Sequence, residues 1–220
     1  MRISIDAKVA ISLGRFSRNG VSRVVVKGLD HDFTHGAAST LTPLGLYLPQ
    51  YQEVFLYFVS SKVTSDCIAD CLCDLWQNLR HRFPKVRSLV INQDNGPEQH
   101  SRRTQMMLRL TPFSDTFQIP ILLAYYPPYH SKYNPIERIW GHLEKHWNGA
   151  LLDSIDTVLA FARSFRFHQR PPHVQLLSKP YPTGVTLSPR QMACLEQRFL
   201  RLPGLEKYLV SIAPLPCLSG

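Results

Sequence analysis

Hydrophobic and polar positions change period several times along the chain, and each change predicts an element. Residues 2–6, "RISID", alternate as a strand does, with Ile3 and Ile5 on one face and Arg2, Ser4 and Asp6 on the other. "SRVVVKGL" (22–29) is β-branched and predicts a second strand. "EVFLYFVS" (53–60) is almost wholly apolar and predicts a third, buried on both faces. From Ser65, expected as an N-cap, Ile68, Leu72, Leu75, Trp76 and Leu79 recur at helical spacing until Pro84. "RSLVINQDNGP" (87–97) predicts a short buried strand that runs into an Asn-Gly turn. "SRRTQMMLRLTPF" (101–113) begins as a helix that Pro112 ends or kinks.

"IPILLAYYPP" (119–128) predicts another strand. The helix after it starts at Asn134, with Asn134 as N-cap, Pro135 at the first position and Glu137 at the third, where a carboxylate suits the free N–H groups and the dipole. Ile136, Trp140, Leu143 and Trp147 form its apolar stripe, and "LLDSIDTVLAFARSF" (151–165) predicts a further helix. "RFHQRPPH" (166–173) is expected as a linker. Ser188 and Pro189 cap a last short helix to about Leu200, and the proline-rich end is expected to fray. The order β-β-β-α-β-α-β-α-α predicts an α/β fold: a mixed sheet of three antiparallel strands, then strands alternating with helices, and helices on both faces. Residues 1–165 are expected to form the main domain, and 166–220 a linker and a short C-terminal helical appendage.

Composition narrows the class. The 220 residues are 44% apolar, enough for one sizeable core. No apolar run reaches the ~18 residues of a membrane span. Met1 leads straight into "RISID" without a signal-peptide core, so a cytoplasmic protein is expected. The five cysteines include no CxxC pair; Cys67, Cys71 and Cys73 share one helical pattern and read as reduced thiols rather than a zinc site. The net charge of +9 and a pI near 9.5 point to a polyanionic partner, because Lys and Arg release counterions from phosphates on binding.

Candidate chemistry rests on three carboxylates. Asp6 ends the first strand, Asp94 follows the strand "SLVI", and Glu137 lies one turn into the helix after the last strand. Taken singly each has an ordinary reading, as a strand-end residue, a turn residue before glycine, and a helix cap. Taken together they occupy three places where α/β folds gather their sites. Converging carboxylates are costly unless cations offset them, which a pair of divalent ions does while clamping both oxygens of a phosphodiester exchange. Nearby, His130, Lys132, Tyr133 and Arg138 surround the start of the Glu137 helix, where phosphate contact and base stacking compete with simple packing over the sheet edge. Arg102, Arg103 and Arg109 form either a phosphate-facing strip or a solvated helix face. His142 and His146 stand four apart, but a zinc-protease helix needs glutamate directly after the first histidine, and Glu144 comes two later. Glu144 is the first substitute for Glu137, with Asp30 and Asp32 as further reserves.

"ISIDAKVAISLGRFSRNG", "LDHDF", "QDNGPEQHSRRTQ" and "LAYYPPYHSKYNPIERIWGHLEKHWNGALLD" together resemble the DDE transposases of bacterial insertion sequences, most closely the Rhodopirellula-type domain, kin to mariner-like enzymes. The resemblance covers about Ile3 to Leu200. It implies a ribonuclease H-like fold, with Asp6, Asp94 and Glu137 as the catalytic and metal-holding triad. It also implies two Mg²⁺ ions, with Mn²⁺ as substitute. Water would cut a phosphodiester at an element end, and the freed 3′-hydroxyl would then attack target DNA. The implied partners are DNA, both element ends and target, and further copies of the chain when DNA is bound; the implied place is the nucleoid. Relatives carry an N-terminal helix-turn-helix region. Met1 here lies five residues before Asp6, so a truncated copy or a catalytic-domain fragment is expected. The alternative is a non-catalytic, basic DNA-binding remnant.

Overall fold

The computed structural model describes residues 1–14, 39–127 and 129–216, together with the backbone of two short strands at Phe16–Ser17 and Leu29–Asp30. Residues 22–28 of the strand expected at 22–29 and the acidic reserve Asp32 lie outside the described residues, as does the side chain of Asp30.

The elements run β1 (Arg2–Ala7), β2 (Ile11–Leu13), β3 (Phe16–Ser17), β4 (Leu29–Asp30), β5 (Ser39–Leu48), β6 (Glu53–Val59), α1 (Ser65–Leu79), β7 (Leu89–Gln93), α2 (Thr104–Phe117), β8 (Ile121–Tyr125), α3 (Ile136–Trp147), α4 (Ile155–Ser164), β9 (His173–Leu177), α5 (Pro189–Glu196), β10 (Phe199–Arg201) and β11 (Leu209–Ile212). The main sheet has the order β10-β11-β8-β7-β1-β5-β6-β9, and β2 also pairs with β5. Strands β1, β5 and β6 are antiparallel neighbours, whereas β7 and β8 continue from β1 in parallel. Antiparallel pairing followed by parallel pairing therefore holds, with β5 in the central place.

β5 escapes a reading by pattern because Pro43 and Gly45 interrupt it. Both have reasons to be there. The Pro43 carbonyl accepts from Lys8 N at 2.8 Å, so the proline nitrogen faces the same side, where the partner strand changes from β1 to β2 and no ladder donor is required. Gly45 leaves room for α3, as described below.

Helices cover both faces. On one, α1 and α2 pack Ile68, Leu72, Leu75, Met107 and Leu110 against Ile3, Ile5, Ile91 and Leu123. On the other, α3 and α4 pack Ile136, Ile139, Trp140, Leu143, Trp147 and Val158 against Tyr47, Leu56 and Phe58. The whole predicted stripe of α3 is buried. Trp147 is fully buried and among the largest side chains enclosed.

Local chemistry corrects several expectations. Thr64, not Ser65, caps α1 by accepting from Cys67 N, while the Ser65 hydroxyl donates to the Glu98 carbonyl at 2.6 Å. Helix α2 runs through Pro112 to Phe117, because Leu110 and Phe113 are buried on the packed face and outweigh one missing helical hydrogen bond. The last helix stops at Glu196, and Leu200 belongs to β10. Beyond residue 165 the chain rejoins the sheet. β9 begins at the end of the expected linker and pairs in parallel with β6, and β11 pairs antiparallel with β8 in the stretch expected to fray. Among the described residues no helix is long and apolar enough to cross a membrane. Cys67 and Cys71 are buried free thiols, as expected for that helix.

Candidate active site

The polar residues of β1 do not face water; they face α3. Ser4 is fully buried, and its hydroxyl donates to Asn134 Oδ1 while accepting from Ile136 N at 3.0 Å. Asn134 Nδ2 in turn donates to the Ile5 carbonyl at 2.9 Å. Asn134 therefore does not cap its own helix, as the sequence suggested. It fastens the helix start to the sheet, and a serine on another strand receives the free N–H. The consequence for Glu137 is position: the first turn of α3 is pinned beside the end of β1.

Asp6 shares the face of Ser4, two residues on. The parallel register sets Ser4 opposite Asn92, and continuing it by two residues brings Asp94 alongside Asp6 just past the end of β7. Asp94 Oδ1 accepts from Gly96 N at 3.2 Å, which holds the carboxylate back over its own turn. A Cβ at position 96 would stand 3.1 Å from that oxygen, so the glycine leaves Asp94 its place.

Trp140, expected only as part of the apolar stripe of α3, also reaches the site. Its indole N–H donates to Asp6 Oδ2 at 2.8 Å. Gly45, the antiparallel partner of Asp6 in β5, makes that reach possible: a Cβ there would lie 2.6 Å from Trp140 Cη2 and 2.9 Å from Ile136 Cδ1. The available signal was the i,i+3 spacing of Glu137 and Trp140, which puts a carboxylate and an indole on neighbouring parts of one helical face.

The three carboxylates feel one another. Burial pushes the Asp6 carboxyl up from 3.8 to about 7, the Trp140 hydrogen bond opposes this, and the charges of Glu137 and Asp94 add to it. Glu137 is also raised, first by burial and then by Asp94, with the Lys8 ammonium working against both. Lys8 itself is bonded to Glu144 at 2.9 Å. Glu144 also accepts from Trp147 Nε1 at 2.8 Å, so the expected substitute for Glu137 is engaged two turns further along the helix.

Among the described residues no three carboxylate, histidine or cysteine side chains stand close enough to grip an ion as they are. The donor set of Asp6, Asp94 and Glu137 is nonetheless all carboxylate oxygen, the type that suits Mg²⁺ or Mn²⁺ rather than zinc or copper. The raised proton affinity of Asp6 and Glu137 comes first from burial, and neighbouring negative charge adds to it.

The residues expected on DNA divide into two groups. Lys132 and Tyr133 lie in a short 3₁₀ turn, Ser131–Tyr133, with the Lys132 ammonium 5.3 Å from the centre of the Tyr133 ring and His130 stacked on that ring at 5.8 Å. Arg138 is exposed nearby on α3. Arg102 and Arg103 lie elsewhere, at the start of α2, where Arg102 is exposed and Arg103 is paired with Glu98 at 3.1 Å. Arg109 is held by Asp66 and Asp70 and so leaves the proposed strip. His146 Nε2 meets the Phe161 carbonyl and the Ser164 hydroxyl, and His142 packs against Phe167, so the pair serves the contact with α4 and the segment after it.

The sequence profile described as "Rhodopirellula transposase DDE domain" matches residues 1–214. The chain belongs to this transposase family. Two solved structures share the fold of the DDE domain. "Mos1 transposase paired-end complex with left transposon end" aligns with a TM-score of 0.52 at 12% identity, and "Crystal structure of the Mos1 mariner paired end complex with Mn" with 0.51 at 13%. Each alignment covers 71% of this chain and 45% of the other, so the DDE domain spans less than half the length of those transposase chains. No curated protein matches by sequence. The mixed sheet with helices on both faces is thus a ribonuclease H-like fold of the transposase kind.

Proposed function

We propose that this DDE domain cuts DNA at the ends of a transposable element and joins the freed 3′-hydroxyl to target DNA, using Asp6, Asp94 and Glu137 to hold two divalent ions, Mg²⁺ or Mn²⁺. The observation that carries the reading is the placement of Asp6 and Asp94 at the ends of two neighbouring parallel strands, under the pinned helix start that bears Glu137. Bound there, the ions would favour a deprotonated nucleophile and neutralise charge on the leaving oxygen. The chain's own residues do the positioning. Trp140 fixes one oxygen of Asp6, Gly96 N restrains one of Asp94, and the Ser4–Asn134 lock sets the height of Glu137. Exposed Lys132 and Arg138 supply phosphate contacts, which orient a duplex without reading its sequence. Pairing of two copies on DNA and action at the nucleoid belong to the same proposal.

Nicking of supercoiled plasmid tests it. The reading expects nicked product that requires Mg²⁺ or Mn²⁺ and is lost in Asp94→Asn. Nicking that survives this substitution would remove Asp94 from the site. DNA binding without any metal-dependent nicking would favour the non-catalytic alternative.

A further inference from the structure

A cavity of about 560 Å³ opens beside the start of α3. Tyr47, Tyr133 and Phe167 give it aromatic walls, and Lys132 and Arg138 give it cationic ones. Its volume falls within the ~300–1,000 Å³ range of sites that enclose a small molecule.

The walls are built from separate parts of the chain. Tyr47 lies one residue before the end of β5 and meets Phe167 edge-on at 5.7 Å, and Phe167 carries the His168 ring at 4.4 Å. Two wall residues that are not glycine, Gln52 and His168, adopt left-handed backbone with φ of 54° and 47°. Residues held in such sparsely populated backbone regions are strained, and they concentrate at binding sites. Neither Lys132 nor Arg138 has a carboxylate partner among the described residues, whereas Arg82, Arg109, Arg198 and Arg201 all hold carboxylates. The Arg138 charge reaches the Tyr47 hydroxyl. Aromatic faces with such cations at the rim match a nucleobase and its phosphate: any base can stack, and a phosphate pairs with either cation.

We infer that this cavity holds one unstacked nucleobase of a DNA strand, with its phosphate on Lys132 or Arg138. This rests on the DNA-cutting reading above and adds to it a preference for strands that are frayed or unpaired next to the cut. The cavity adjoins the carboxylates through Asn134 and Pro135, which line it and lead directly into Glu137.

The test is binding in EDTA, where the carboxylate chemistry takes no part. Fluorescence anisotropy would compare a blunt duplex, the same duplex with a three-nucleotide overhang, and the same duplex with one internal mismatch. The expected result is tighter binding of the overhang or the mismatch than of the blunt duplex by roughly tenfold, the scale of one stacked base. The overhang and mismatch arms distinguish a strand end from an extruded base. Tyr133→Ala should abolish the difference between the DNAs, while Tyr133→Phe should keep it. Tyr133 is 62% exposed, so neither change threatens the fold. Equal affinity for all three DNAs would overturn the base pocket and leave the DNA reading standing. Failure to bind any of them would overturn both.

Discussion

Replacing Asp6 by asparagine should make the ion-free protein more stable, and only at neutral and higher pH. The carboxyl has its folded value at about 7 against an ordinary 3.8, so the native state binds this proton more tightly than the unfolded chain does. The sign follows from that. Asp6 costs nothing while it is protonated in both states, below about pH 4. Stability then falls as pH rises from about 4 to 7 and stays low above, because the native state must hold a charge that burial and two carboxylates oppose. At about 1.4 kcal/mol for each tenfold in proton affinity, the interval amounts to roughly 4 kcal/mol at most. That interval already contains the Trp140 hydrogen bond, which favours the charged form and holds the interval down. A gain of roughly 3–4 kcal/mol above pH 7 is therefore expected, and little or none near pH 4. Urea unfolding in EDTA at pH 4.5 and pH 8 would measure it for both proteins. A variant that is less stable than the parent at pH 8, or better by the same amount at both pH values, would refute the electrostatic account of Asp6.

Two further substitutions test how the site is assembled. Gly45→Ala should destabilise by roughly 1–3 kcal/mol or more, lowering the melting temperature by several degrees, because its Cβ would overlap the Trp140 ring; an unchanged melt would mean that Trp140 has room to move. Ser4→Ala should cost roughly 1–3 kcal/mol, since it leaves the Ile136 N–H and an Asn134 oxygen buried without their partner; a cost near zero in urea unfolding would show that the Asn134 lock does not depend on Ser4.

The legible parts of the fold are those where local pattern and tertiary role agree. Alternation in β1, the apolar runs of β6, β7 and β8, and the stripes of α1, α3 and α4 all state their burial in their own residues. β5 could not be read that way, since Pro43 and Gly45 answer to neighbouring elements and weaken its own pattern. β9, β10 and β11 are short and half-exposed, and what makes them strands is the edge on which they pair. At the candidate site, residue type and spacing pointed to Asp6, Asp94 and Glu137. The supports of that site were invisible for a different reason. Ser4 to Ile136 and Asp6 to Trp140 are contacts across more than 130 residues, and a serine in a strand or a tryptophan in a helical stripe carries no sign of its partner. The helix-start motif shows the limit well. Asn134 and Pro135 mark the right place, but the asparagine side chain leaves the helix and binds the sheet.

The central claim is that Asp6, Asp94 and Glu137 together hold divalent ions. Crystals soaked in Mn²⁺ and measured for its anomalous scattering would test this most directly. The account predicts anomalous peaks in contact with carboxylate oxygens of all three residues, lost on Asp94→Asn; peaks confined to other carboxylates, such as Glu144, or peaks unchanged by that substitution, would contradict it.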